Sequence, residues 1–162
     1  MLTVERVTEL LRYDGWNGVL TWAANRPRLP LAGVIAGAAN GNGYVRVYVD
    51  GRPHYAHRLA WMLHYQEQPP ALIDHINGDR ADNRIRNLRA SNKRLNSQNV
   101  KRARRDSASG LLGASPSKTG LSWVAQIVVD GRYHRLGTFK TPEAAHAAYI
   151  AAKRQLHAGN TL

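Results

Sequence analysis

The spacing of apolar positions predicts a succession of short helices and strands in the N-terminal part of the chain. Residues 3–13 carry their apolar positions at helical spacing, and Thr3 can cap that helix. Apolar and polar positions alternate on both sides of Asp50-Gly51, a pair that favours a two-residue hairpin turn. The other expected elements are strands at residues 19–22, 44–49, 52–56, 71–76 and 85–90, and helices at residues 57–65 and 92–100, the last capped by Ser91.

The C-terminal part repeats the order strand, strand, helix. Asp130-Gly131 separates two alternating runs at residues 122–129 and 132–139, which predicts a second hairpin. Thr141 can cap the helix that follows. We therefore expect a small sheet covered by one helix.

A basic and then polar segment, residues 101–110, separates the two patterns. We place the domain boundary in this segment, with one domain at residues 1–106 and the other at residues 107–162. Small sheets that alternate with separate helices predict the α+β fold class.

The charge of the chain favours a polyanionic partner. Its 162 residues include 23 Lys and Arg against 11 Asp and Glu, a net charge of +12 at neutral pH. Residues 84–105 contain nine basic residues and no acidic one, which argues against a protein that is merely basic and soluble. Residues 91–99 are polar nearly all round, whereas binding to a membrane surface would require bulky apolar residues opposite the charges.

Several classes of protein are disfavoured by the sequence. No apolar run is long enough to span a membrane, and residues 1–6 lack the basic start of a signal peptide. The chain has no cysteine, which excludes disulfides and cysteine-ligated zinc and is compatible with a reducing cytoplasm. We expect a cytoplasmic protein that has no membrane partner.

Asp74-His75, followed by a series of asparagines, has the composition of a site that cuts phosphodiesters. Hydrolysis requires a base for the attacking water and a cation that stabilises charge on the phosphate and the leaving oxygen. Neutral histidine is available near physiological pH, so His75 is the candidate base. A hard ion such as Mg²⁺ prefers oxygen ligands, which Asp74 and the amide of Asn96 would supply. Adjacent residues of a regular strand point to opposite faces, so we expect a twist or bulge to bring Asp74 and His75 to one site.

Three segments match a known family in order and with the expected loop lengths. They are residues 55–61, residues 74–89, which begin Asp74-His75-Ile76-Asn77-Gly78-Asp79, and Asn96. In these segments, residues 55–100 resemble the HNH endonucleases of phages and mobile introns. The resemblance implies a core of two antiparallel strands, a metal ion and a helix.

The resemblance also implies roles for individual residues. His75 is the general base, Asn87 orients its imidazole, and Asp74 and Asn96 are ligands of the metal, Mg²⁺ or alternatively Mn²⁺. Asn83 is a second candidate for the orienting role. We interpret His57 as a structural residue that packs on the preceding hairpin. The basic residues expected to contact phosphates are Lys93, Arg94, Lys101, Arg102, Arg104 and Arg105.

The C-terminal domain carries a second set of matching residues. They are Gly113, Trp123, Ala125, Ile127, Gly131, Leu136-Gly137, Phe139, Glu143-Ala144-Ala145, Ala147-Ala148-Tyr149 and Ala151-Ala152. In these, residues 110–157 resemble the AP2 DNA-binding domain, which implies a three-stranded sheet in the major groove, braced by a helix. We expect Val124 and Val128, or their strand neighbours, to pack on the helix. The residues expected to face DNA are Trp123, Gln126, Arg132, His134 and Arg135. A generic strand–strand–helix unit is the alternative.

Together these features predict a metal-dependent DNA endonuclease, encoded by a phage or prophage and of the homing type. The first domain would nick or cleave the DNA, and the second would anchor the enzyme, a monomer or weak dimer, on double-stranded DNA. A monomer has a single catalytic core and would nick one strand. Three alternatives stay open. They are a non-catalytic DNA-binding regulator with a degenerate nuclease core, an RNA-directed or structure-selective nuclease, and a colicin-like toxin, which would need an immunity partner.

Overall fold

The computed structural model describes residues 2–23 and 32–160, which belong to two compact units, Met1–Asn92 and Lys93–Leu162. The division lies earlier in the chain than the boundary at residue 106 expected from the sequence. Interactions of residues 93–98 with the C-terminal part account for the difference. Arg94 forms an ion pair with Asp130, and the side-chain oxygen of Gln98 accepts a hydrogen bond from the amide of Gly159 at 3.0 Å.

The described part of the first unit contains two α-helices and three small antiparallel sheets. In chain order the elements are α1 (Val4–Leu10), β1 (Leu11–Asp14), β2 (Val19–Trp22), β3 (Ala38–Ala39), β4 (Val45–Val49), β5 (Arg52–Tyr55), α2 (Ala56–Tyr65), β6 (Leu72–His75), a 3-10 turn (Ile85–Asn87) and β7 (Leu88–Ser91). The sheets pair β1 with β2, β4 with β3 and β5, and β6 with β7.

Apolar side chains of α1, α2 and the neighbouring strands form the main core of this unit. Val7, Leu11, Val47 and Leu59 are each at most 1% exposed. Burial of one such side chain stabilises the fold by roughly 1.5–3 kcal/mol. The core therefore fixes α2 against the hairpin that precedes it.

A second apolar cluster seats the sheet of β6 and β7 on α2. Ala60 and Trp61 of the helix pack against Leu88 of β7, with Ile73 of β6 at the edge. Ile73 lies two residues before His75 and thus on the same face of the strand. This packing turns the His75 face of β6 toward α2.

The first hairpin is confirmed, including its turn. Asp50 and Gly51 both have positive φ, of 49° and 76°, as a type I′ turn requires. The helix over residues 57–65 is also confirmed, with an additional residue at its start.

Three local predictions were wrong. The first helix ends at Leu10, because residues 11–14 pair with β2 instead of extending the helix. The strand expected from residue 85 starts only at Leu88, because the amide of Ile85 donates to the carbonyl of Gly15 and the chain makes a 3-10 turn there. Ser91 ends β7 and does not cap the next helix, which is shorter than expected.

The second unit contains a three-stranded antiparallel sheet and a capped helix. Its elements are α3 (Lys93–Gln98), β8 (Ala114–Pro116), β9 (Trp123–Val129), β10 (Arg132–Phe139) and α4 (Pro142–Leu156), with β9 between β8 and β10. The Thr141 hydroxyl accepts from the Ala144 amide at 3.2 Å, which confirms the predicted cap. Ala125 and Ala145 are completely buried, so small residues allow α4 to lie close to the sheet.

Among the residues that the structure describes, no helix is long and apolar enough to cross a membrane.

Candidate active site

Asp74 and His75 lie at the end of β6, and both side chains are buried. Only 6% of Asp74 and 5% of His75 is exposed. Asp74 lies opposite Arg89 and His75 opposite Leu88 in a continuous register. The bulge expected here is therefore absent, and the two side chains leave the strand on opposite faces.

The carboxylate of Asp74 forms an ion pair with its cross-strand neighbour. Nε and Nη2 of Arg89 donate to Asp74 Oδ2 at 3.1 and 2.8 Å. A buried carboxylate needs such compensation, since an unpaired charge there would be costly. Sequence reasoning did not identify Arg89, because its partner depends on the register of two strands that are far apart in the chain.

The imidazole of His75 faces the side chain of Asn83. Asn83 Oδ1 lies 3.5 Å from His75 Nε2, while Asn83 Nδ2 donates to the carbonyl of Ala81 at 3.0 Å. Burial lowers the pKa of His75, and the contact with Asn83 and the charge of Asp74 oppose that shift only in part. His75 is therefore neutral at physiological pH and able to accept a proton.

The side chain of Asn87 is bonded to the loop after β6. Its Oδ1 accepts from the amide of Asn77 at 2.9 Å, and its Nδ2 donates to the carbonyl of Asp82 at 2.7 Å. Its backbone carbonyl accepts from the amide of Ile76 at 2.8 Å. Asn87 thus holds the backbone that directly follows His75, whereas Asn83 contacts the ring itself.

The loop between β6 and Asn87 is held together by hydrogen bonds and an ion pair between its own side chains. Asn77 donates to Asp82 at 2.7 Å, and Arg84 forms a two-nitrogen ion pair with the same carboxylate. Hydrogen bonding with Arg84 lowers the pKa of Asp82 to about 2.

The turn of the β1–β2 hairpin supports the segment that carries Asn83. The hydroxyl of Tyr13 donates to the carbonyl of Asn83 at 2.7 Å. Gly18 has a φ of +75°, and a Cβ atom there would lie 2.5 Å from the amide nitrogen of Arg84. Nothing in the local sequence pattern indicates which distant segment this turn contacts.

His75 belongs to a group of four rings in contact, which we call the aromatic cluster. Its members are Tyr44, Tyr55, His57 and His75. The His57 and His75 rings meet edge to face at 5.1 Å, and Tyr55 stacks on His57 at 5.5 Å. Tyr44 lies 6.0 Å from His75 and 5.1 Å from Tyr55. His57 therefore packs on the hairpin, as we expected from the sequence, and it also borders the candidate base.

His57 itself is buried in an apolar setting. Its Nδ1 has no hydrogen-bond partner among the described residues, and burial lowers its pKa to about 3. A neutral His57 next to His75 avoids a second positive charge beside the base.

Asn96, the other expected metal ligand, lies on α3 in the second unit, where its side chain is exposed. The described residues contain no group of three or more His, Cys, Asp or Glu side chains that could hold a metal ion. Any metal bound here would have to use one carboxylate together with amides, water or substrate oxygens.

The basic residues expected to contact phosphates belong to the second unit. Of these six, Lys101 is half-buried, and Arg94 pairs with Asp130. The exposed members are Lys93, Arg94, Arg102, Arg104 and Arg105.

The register of β9 and β10 assigns the expected DNA-facing residues to two sides of the sheet. Gln126 lies opposite Arg135, and both are exposed on the side away from α4. His134 lies opposite the buried Ile127, so His134 and Arg132 project on the α4 side, where they are exposed.

Trp123 does not lie on the open side of this sheet. It pairs with Phe139, and both rings pack against the alanine-rich core under α4. Trp123 therefore does not belong to the sheet face away from α4, and its contact with DNA stays a prediction. Ala125 and Ile127 pack inward. They are the strand neighbours of Val124 and Val128.

Comparison with family models supports a nuclease. Residues 54–98 match the model of the HNH endonuclease family. The matched segment contains Asp74, His75, Asn87 and Asn96, and the small sheets and four described helices are compatible with such a core. A search of curated proteins and a search of solved structures found no match.

Proposed function

We propose that this chain is a metal-dependent endonuclease that hydrolyses phosphodiester bonds in double-stranded DNA. The observation that carries the proposal is a buried His75, the residue after Asp74 at the end of β6, in a segment that matches the HNH endonucleases. Burial lowers the pKa of His75 and so favours the neutral imidazole. A neutral imidazole is the form that a general base requires.

His75 takes a proton from the attacking water in this proposal. Asn83 Oδ1 can only accept a hydrogen bond, so its contact favours the tautomer with the proton on Nε2. Asn87 acts as a positioning residue, because it fixes the backbone of Asn77 two positions after the base.

The donor set fits a hard divalent ion, Mg²⁺ or Mn²⁺, with Asp74 and Asn96 as the proposed protein ligands. Such an ion supplies Lewis-acid stabilisation of the phosphate and of the leaving oxygen. Asp74 offers carboxylate oxygen whose charge Arg89 partly neutralises, and Mg²⁺ commonly combines one or two carboxylates with substrate phosphates and water. The role of Asn96 rests on its match to the last motif position.

The second unit is the proposed DNA anchor. Its exposed basic segment supplies cations for phosphates, and the open side of its sheet presents Gln126 and Arg135. This arrangement suits an AP2-like reader of the major groove. We further propose a homing-type enzyme of phage or prophage origin, acting in the bacterial cytoplasm as a monomer or weak dimer. As a monomer it would nick one strand.

One observation favours a second function, a DNA-binding regulator whose nuclease core is inactive. Arg89 already binds Asp74 Oδ2 through two nitrogens, and an ion pair of this kind competes with a cation for the carboxylate. A regulator would bind DNA without a metal.

Conversion of supercoiled plasmid to nicked or linear DNA distinguishes these functions. The assay compares wild type, His75→Ala and the control His64→Ala in Mg²⁺, Mn²⁺ or EDTA. His64 is exposed on α2, so its loss removes an imidazole without touching the site. We expect metal-dependent nicking by wild type and the control, and at least a ~100-fold loss in His75→Ala with DNA binding intact. Wild type that binds DNA but never cuts it would establish the regulator instead.

A further inference from the structure

Two arginines lie over tyrosine rings of the aromatic cluster. The guanidinium carbon of Arg80 is 4.9 Å from the centroid of Tyr44, the ring that contacts His75. That of Arg46 is 5.3 Å from the centroid of Tyr55, the ring that stacks on His57. Tyr44 and Tyr55 contact each other, so the two guanidinium groups lie over neighbouring rings of the aromatic cluster.

Hydrogen bonds hold both guanidinium groups in place. Arg80 Nη1 donates to the carbonyl of Asn42 at 3.0 Å, and Arg46 Nη2 donates to the hydroxyl of Tyr55 at 3.4 Å. Stacking on an aromatic face leaves the remaining edge N–H groups of arginine directed outward, where they can donate to an anion.

Among the described residues, neither Arg46 nor Arg80 has a carboxylate partner. Arg6, Arg84 and Arg89 of the same unit are paired with Asp50, Asp82 and Asp74 respectively. Two guanidinium groups that are held in place, have no carboxylate partner and lie on the rings of Tyr55 and Tyr44 form a site suited to phosphate, to which arginine can donate two parallel hydrogen bonds.

We propose that Arg46 and Arg80 bind phosphates of the DNA strand that His75 cuts, on either side of or next to the scissile bond. This inference rests on the proposed nuclease function and adds a phosphate subsite in the first unit, separate from the basic residues of the second unit. The rings of Tyr44 and Tyr55 serve as its floor. The subsite would hold the strand in register with His75, so it contributes to positioning as well as to affinity.

The test measures how binding of a short fluorescein-labelled DNA duplex depends on NaCl concentration, in EDTA. The double variant Arg46→Gln/Arg80→Gln is compared with the control Arg12→Gln/Arg52→Gln, which removes two exposed arginines that lie off the aromatic cluster. Each lost phosphate contact lowers the slope of log K against log salt by about 0.9. We expect the first double variant to lose about two units of slope, and the control to keep the wild-type slope.

Equal slopes in both double variants, with unchanged thermal unfolding, would overturn the subsite. Modification of wild-type arginines with phenylglyoxal, read by mass spectrometry, decides the matter if the double variant fails to fold. DNA should protect Arg46 and Arg80 but not Arg52, and absence of that protection would also refute the subsite. Neither measurement needs cleavage, so a wild type that binds but does not cut would count against the nuclease function alone.

Discussion

Two histidines and two asparagines determine what the site can do at the scale of single residues. His57 and His75 are both buried and meet edge to face, and burial lowers the pKa of each. The resemblance assigned the orienting role to one asparagine, whereas the structure divides the contacts between two. Asn83 faces the imidazole ring, and Asn87 bonds to the backbone of the following loop.

Substitution of the two asparagines should separate these roles. Asn83→Ala should lower the rate of plasmid nicking by about tenfold to a hundredfold, because the imidazole loses its neighbour, with a small effect on stability. Asn87→Ala should lower the free energy of unfolding by about 1–3 kcal/mol, because it leaves loop donors and acceptors without partners.

Asn83→Asp is the matched variant for the first of these predictions. A carboxylate beside His75 favours the imidazolium form and raises its pKa, so the acid limb of the pH–rate profile should move to higher pH. An unchanged profile together with full activity in Asn83→Ala would exclude Asn83 as a positioning residue.

His57 should make the fold sensitive to acid. Its pKa falls from 6.5 to about 3 on burial, so between those values the unfolded chain binds a proton that the folded chain excludes. Stability is therefore lost as the pH falls through this range, by at most about 1.4 kcal/mol per pH unit. His57→Phe keeps a ring against Tyr55, and urea unfolding at pH 7 and pH 5 should show a smaller difference for it than for wild type. The same difference in both proteins would contradict this assignment.

At the scale of elements, the site is assembled where three short elements meet. β6 carries the Asp74-His75 pair, α2 seats the sheet of β6 and β7, and the β1–β2 turn supports the segment from Asn83 to Ile85. The support is steric as well as polar, since the Gly18 backbone touches the backbone of Arg84.

Gly18→Ala tests that support, with Gly51→Ala as its matched control. Both glycines have a φ near +75°, but a Cβ at Gly51 would meet no atom within 4 Å. The control should cost about 1 kcal/mol from backbone strain alone. Gly18→Ala should cost more and should also reduce nicking, because Arg84 and its neighbour Asn83 must move. Equal unfolding midpoints and equal nicking rates would rule out a supporting role for the turn.

At the scale of the whole molecule, the proposed binding to DNA depends on the charge of the chain. The net charge of +12 attracts a polyanion wherever it is distributed, whereas individual contacts depend on which cations are exposed. Arg102, Arg104 and Arg105 are exposed in the segment that follows α3.

Replacement of these three arginines by glutamine should weaken binding to all duplex sequences similarly. The slope of log K against log salt should fall by about one for each phosphate contact that is lost. A control with Arg6, Arg12 and Arg52 replaced loses the same charge elsewhere, and fluorescence anisotropy across a salt series compares the two. If both triple variants behave alike, net charge and not this segment determines the affinity.

Local features of this protein could be predicted from its sequence. Both Asp-Gly hairpins, the Thr141 cap and the helix after the first hairpin follow from turn chemistry and apolar spacing, which act over a few neighbouring residues. The residue types of the candidate site were also evident, because acid–base and metal chemistry admit few side chains.

Tertiary structure alone decided which of those residues meet. Strand register and packing between distant segments decide three of these contacts. They are the pairing of Asp74 with Arg89, the contact of Asn83 with His75 and the packing of Trp123 on the α4 side of its sheet. Periodicity cannot supply such information, since a shift of one residue in register reverses the face of every side chain. The sequence therefore determined the candidate residue types and the local elements, while long-range packing placed Arg46 and Arg80 over rings of the aromatic cluster.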